Sequence, residues 1–134
     1  MKDIIFDEFQ NNVNESLIRH KSLLDILSKL QESEARINRA VVKSVTNCGC
    51  ISLNAEKQHI PNKDSDIDIE DLKVCLSSHV NGTLCDSCRE IIASEIGRNL
   101  FYISSLCNTL DLNLYDILLK ENDKFNTLGK YNFR

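Results

Sequence analysis

Tryptophan is absent from this chain of 134 residues, proline occurs once and glycine four times. Sheet-rich folds need frequent turn residues, so a chain this poor in them is expected to be helical. Aromatic residues make up only 6%, which leaves Leu and Ile to build any core. An excess of positive charge is missing too: 16 Lys and Arg stand against 20 Asp and Glu, a net charge of −4. That argues against nucleic acid as a partner, because neutralising phosphates needs a basic surface. No apolar run approaches the roughly 20 residues that span a bilayer, so no membrane partner is expected. The opening MKDIIFDEFQ carries acids where a secretory leader needs a basic and then an apolar run. A cytoplasmic protein is the expectation. At this length, residues 1–134 are read as a single helical domain with a modest core.

What the chain does have is periodicity. Between Asp3 and Asn47 there is no Gly or Pro, and Phe6, Phe9, Val13, Leu17, Leu24, Leu27, Leu30, Ile37, Val41 and Val45 recur in steps of three, four and seven. Such spacing puts them on one helical stripe. The stretch 3–47 reads as one very long helix, or as two with a bend around Gln31 to Glu34. A helix of that length cannot cover its stripe with so small a remainder. A partner chain, a second copy, is the expected cover, and a hairpin folding on itself is the alternative.

Gly49 stands where a left-handed residue ends a helix, after Asn47 and Cys48. Ile51-Ser52-Leu53 can form a small strand. Residues 56–70 are polar, acidic and linker-like. Ile69 to Val80 reads as a short helix stopped by Asn81-Gly82. A helix from about Asp86 to Leu110 follows, with its stripe at Ile92, Ile96, Leu100, Ile103, Cys107 and Leu110. Asn113 or Asp111 can cap a last helix, from Leu114 to about Thr127, with Gly129 at its stop. The fold class is therefore all-α: a long N-terminal helix, a Cys-bounded acidic loop over 48–85 and a helical hairpin over 86–129.

Six cysteines in a chain with no secretory leader suggest metal ligands or thiols before disulfides. Cys48 and Cys50 lie just past one predicted helix end, and Cys85 and Cys88 open the next helix. Two short pairs on turns offer four thiolates to a tetrahedral metal, with zinc as the expected ion in a structural site that has no open position. A helix start also lowers thiol pKa and favours the thiolate a metal needs. The same residues can instead serve as redox thiols or stay unliganded. His59 or His79 can replace a cysteine, His20 lies mid-helix, and Cys75 and Cys107 fall on apolar stripes as small buried hydrophobes.

Glu95-Ile-Gly-Arg-Asn-Leu-Phe-Tyr-Ile, followed by LCNTLDLNLYDILLKENDKF, resembles the MazG-like all-α nucleoside triphosphate pyrophosphohydrolases over residues 90–130. The resemblance implies a helical bundle in which E-x-x-E and E-x-x-D motifs hold Mg²⁺ against the substrate phosphates. Glu95 matches the first acid of the second motif, but Arg98 stands where its Asp should be. The first motif overlays Glu32 to Val41 loosely, with Ser33 and Arg36 at the paired-acid positions. Guanidinium groups cannot ligate Mg²⁺. The resemblance therefore implies a pyrophosphohydrolase scaffold that has lost catalysis and works by binding or regulation, with Arg36 and Arg98 as candidate contacts for nucleotide phosphates or a protein as partner. The alternatives are an active Mg²⁺-dependent enzyme with Glu95, Glu32 and Glu34 in a rearranged site, and a thiol or zinc redox sensor.

Overall fold

The computed structural model describes residues 2–60 and 68–128, with the side chains of Lys2, Asp3, Ile69 and Leu128 left out of the account. The described chain is helical, with α1 at Lys2–Ser16, α2 at Leu23–Lys43, α3 at Ile69–Cys75, α4 at Asp86–Thr109 and α5 at Leu114–Leu128. Two three-residue strands, β1 at Ile51–Leu53 and β2 at Val80–Gly82, pair antiparallel with Ile51 opposite Gly82. Among the described residues no helix is long and apolar enough to cross a membrane. Pro61, Gly129 and the tail from Lys130 to Arg134 lie outside the described residues.

The N-terminal stretch is a helix pair, and its break falls at residues 17–22 rather than around Gln31 to Glu34. The Ser22 carbonyl accepts the Ile26 N–H at 2.9 Å, which makes Ser22 the residue that opens α2. Ser22 and Asp25 have the spacing of an N-terminal capping pair, whereas Gln31 to Arg36 are good helix formers with nothing to bend them. The short helix also differs: α3 stops at Cys75, and Val80–Gly82 leaves the helix to pair with β1. Asp68 opens α3, its Oδ1 accepting the Glu70 and Asp71 N–H groups.

The residues fall into two compact units. Unit 1 takes the described residues up to Ile37 and those from Ser94 onward, and unit 2 spans Asn38–Ala93. In unit 1, Ser33 meets Asn99 (3.0 Å) and Arg36 meets Glu95 (3.0 Å). These contacts run in opposite senses along the two helices, so α2 and α4 lie antiparallel there. Ser33 of α2 and Ser104 and Ser105 of α4 are buried. Among the described residues, Ile26, Val13 and Cys107 are the buried apolar side chains of unit 1.

Gln10 ties α1 to the turn between α4 and α5. Its Nε2 donates to the Leu112 carbonyl (2.7 Å) and its Oε1 accepts the Leu114 N–H (3.0 Å). Its own carbonyl accepts from Asn108 Nδ2. Phe6 and Tyr115 add an aromatic contact between α1 and α5, ring centres 6.1 Å apart. The turn itself is a Schellman motif. Asp111 takes φ +57°, the Leu112 N–H reaches the Cys107 carbonyl at 2.8 Å, and the Asp111 N–H points to Asn108. Asn113, not Asp111, caps α5 by accepting the Asp116 N–H at 2.9 Å.

Candidate metal centre

Unit 2 gathers the four cysteines. After α2 the chain widens into a π-helical turn, Ser44–Cys48, and Gly49 follows at φ +76° with its N–H on the Ser44 carbonyl (2.9 Å). Nothing lies within 4 Å of a Cβ built on Gly49, so glycine is needed there for its backbone angle rather than for space. The turn ends with the Cys50 thiol directed at the same Ser44 carbonyl, 3.8 Å away, and Ser44 is fully buried beneath it.

The second pair arrives through the ladder. Gly82 faces Ile51 at φ +86°, and a Cβ there would sit 2.6 Å from the Cys50 carbonyl oxygen. Only a residue without a side chain lets β2 run this close to the Cys50 backbone. Three residues on, Cys85 opens α4. Its carbonyl accepts the Arg89 N–H (2.9 Å) and its Sγ accepts the Cys88 N–H (3.4 Å). Sulfur here occupies the capping place usually held by a Ser or Asp oxygen.

The Cys48 and Cys85 Sγ atoms are 3.8 Å apart, and all four Sγ atoms lie within 4.8 Å of one another. The Cys88 N–H, helped by the Cys88 thiol, lowers the Cys85 thiol to about 7. Cys88 is pushed up to about 12, first by the hydrogen bond it shares with Cys85 and then by burial. Cys48 is raised too: the Cys50 N–H favours its thiolate, but the hydrogen bond with Cys85 and burial outweigh that. Four thiolates this close repel one another, and a divalent cation at their centre removes the repulsion. The four side chains can hold a metal ion.

The other candidates are not gathered. Cys48, Cys50, Cys85 and Cys88 are the one such group among the described residues, and neither His59 nor His79 belongs to it. His79 takes a left-handed angle, φ +62°, with its N–H on the Ser77 hydroxyl. Cys107 is buried, and burial raises its thiol pKa. Cys75 is exposed at the end of α3, against the expectation of a buried hydrophobe, because the short α3 leaves that end uncovered.

Among the described residues the carboxylates form no group of three or more. Glu95 is gripped by Arg36 through two bonds, Nε to Oε2 at 3.0 Å and Nη2 to Oε1 at 3.2 Å. The fork holds the Glu95 carboxyl below its ordinary range and raises the Arg36 guanidinium, with Arg98 adding a smaller attraction on Glu95. Glu32 pairs with Lys29 at 3.1 Å, and Glu34 is exposed. Neither Ser44 nor Gly82 reads from sequence as part of the site, and Gly82 reads there only as a helix stop. An Asn-Gly pair reads as a plain helix stop until its strand partner is known.

Comparison with protein families, with curated proteins and with solved structures gave no match for this chain.

Proposed function

We propose that this chain is a zinc-stapled helical homodimer of MazG-like descent that acts by binding or regulation and not by hydrolysis. The observation that carries the loss of catalysis is the Arg36 fork on Glu95. Both Glu95 oxygens, the place where the resemblance would put a magnesium ligand, are occupied by a fixed cation. Among the described residues Glu95 belongs to no group of three or more metal-ligating side chains, which leaves it poorly placed to compete for Mg²⁺. The Arg36 guanidinium is committed to Glu95, which leaves exposed Arg98 as the freer of the two candidate phosphate contacts.

Zinc is the ion whose chemistry fits the staple. A tetrahedron with Zn–S bonds of about 2.3 Å has edges of about 3.8 Å, and the Cys48–Cys85 separation is 3.8 Å. All four donors are thiolate formers, which hard oxygen-seeking cations such as Mg²⁺ disfavour. A four-thiolate site is closed, so its role is structural. This chemistry belongs in a reducing cytoplasm.

The dimer reading rests on the apolar residues left in water. Leu24, Leu27, Ile96, Leu100 and Leu110 all lie exposed in unit 1. Monomeric proteins rarely leave so much of a helical stripe uncovered.

Two measurements test the proposal. Incubation with nucleoside triphosphates and Mg²⁺ should release no pyrophosphate. Release that depends on Mg²⁺ and disappears in Glu95→Ala would establish the enzyme instead. Elemental analysis of purified protein should find zinc in proportion to chain, removed in the variant Cys85→Ser/Cys88→Ser, with a solution mass twice the 15.3 kDa of one chain. Calorimetry with a nucleotide panel then separates a nucleotide partner from a protein partner.

A further inference from the structure

A thiolate staple is oxidisable, and the four sulfurs of unit 2 are not equally placed for oxidation. Cys48 is the exposed member, while Cys50, Cys85 and Cys88 are half-buried. Cys48 ends the π-helical turn, and its Sγ lies 3.8 Å from Cys85 Sγ on a segment 37 residues further along the chain. The Cys50 thiol is directed instead at the Ser44 carbonyl, back into its own turn. Cys85 Sγ is held at the start of α4 by the Cys88 N–H, 3.4 Å away. The sulfurs of a disulfide are about 2.05 Å apart, so Cys48 and Cys85 have about 1.8 Å to close.

The remaining cysteines stand apart from this chemistry. Cys75 is exposed but outside the group of four, and Cys107 is buried in unit 1.

We infer that the thiolate centre is a reversible redox switch, in which a Cys48–Cys85 disulfide takes the place of the metal. The inference rests on the zinc reading and gives that site a regulatory input. The oxidant is hydrogen peroxide. The Cys48 thiolate, the nucleophile most open to solvent, attacks one peroxide oxygen. An S–O bond forms, the O–O bond breaks and hydroxide leaves. The Cys85 thiolate then attacks the Cys48 sulfur, forming the S–S bond and breaking the S–O bond, and a second hydroxide leaves. Two thiolates have lost two electrons between them, and the peroxide has been reduced to two hydroxides. Cys50 and Cys88 are the thiolates left over, too few for a closed four-ligand site. The new bond ties residue 48 to residue 85, the same two segments that the metal ties. The π-helical turn and the start of α4 therefore stay together, and a dithiol reductant regenerates the four thiolates.

The test begins with purified full-length protein whose zinc content has been established by elemental analysis. Hydrogen peroxide is added beside a chromophoric chelator that reports released zinc, and the product is digested without reductant and mapped by mass spectrometry. Zinc should be released in step with the loss of two hydrogens from the chain mass. The map should join the peptide holding Cys48 to the peptide holding Cys85. Dithiothreitol followed by added zinc should restore the starting metal content. Cys75→Ser should release zinc as the wild type does, since that sulfur lies outside the group. Zinc retained through the peroxide treatment overturns the switch and leaves the staple standing. So does release accompanied by a Cys85–Cys88 or Cys48–Cys50 link, or by sulfinic acids that dithiothreitol does not reverse. Purified protein that holds no zinc overturns the staple reading itself, and the switch with it.

Discussion

Gln10 is a single side chain that closes two backbone groups at once. Two of its bonds satisfy the Leu112 carbonyl and Leu114 N–H at the α4–α5 turn, and the residue is buried. Gln10→Ala strands both groups, at a cost of about 2 kcal/mol. Urea unfolding followed by circular dichroism should give a lower midpoint at an unchanged slope. The Arg36–Glu95 fork makes a different kind of prediction. Because Arg36 holds the Glu95 carboxyl below its ordinary 4.5, the pair stabilises the fold above that pH. The contribution disappears as pH falls through the lowered native value. Glu95→Gln should therefore lose less stability than wild type between pH 5 and pH 3, as thermal melts across that range would record. Equal losses in both proteins would show that the fork contributes nothing. Neither role was legible in the chain, since both depend on a partner about 60 or 100 residues away.

Among the elements, the two turns bearing positive-φ glycines set the metal centre. Gly49 needs only its left-handed angle, so Gly49→Ala should cost about 1 kcal/mol and leave the site formed. Gly82 needs its angle and its lack of a Cβ, which would meet the Cys50 carbonyl oxygen at 2.6 Å. Gly82→Ala should push the β1–β2 ladder apart and weaken zinc binding far more than Gly49→Ala, at least tenfold. Competition with a chromophoric chelator measures the difference, and equal affinities for the two variants would refute it. The helices themselves were readable because each carries its apolar residues at helical spacing, and Asn113 because a short polar residue before a helix has one strong use. The ladder was not. Three residues carry too little pattern to distinguish a strand from the end of a helix, and only the pairing of Leu53 with Val80 decides it. The break at residues 17–22 was missed for a related reason: the stripe continues in step across it, and Ser22 marks it more weakly than Gly or Pro would.

For the molecule as a whole, the two units draw their stability from different sources. Among its described residues unit 2 buries one apolar side chain, Ile51, worth about 2 kcal/mol. Ordering its backbone costs on the order of 1 kcal/mol per residue. A structural zinc in a small thiolate domain supplies about 10–16 kcal/mol, so the zinc proposed above would be the largest single term available to it. Stripping zinc with a chelator should therefore melt unit 2 and leave the helices of unit 1, held by Ile26, Val13 and the Gln10 contacts. Hydrogen exchange with and without chelator should show protection lost across residues 44–88 and kept across 96–107. Uniform loss in both units would mean that the metal stabilises the chain as one cooperative block.

The sequence alone determined the helical class, the absence of a long apolar span, and the two cysteine pairs as the residues with metal-binding chemistry. Each of these is local: composition, helical period and ligand spacing act within a few residues of the chain. The tertiary structure decided that the pairs converge and that Glu95 answers to Arg36. Those are facts of register between segments far apart in sequence, and a one-residue shift in either helix would turn each contact by about 100° without altering the pattern that predicted the helix.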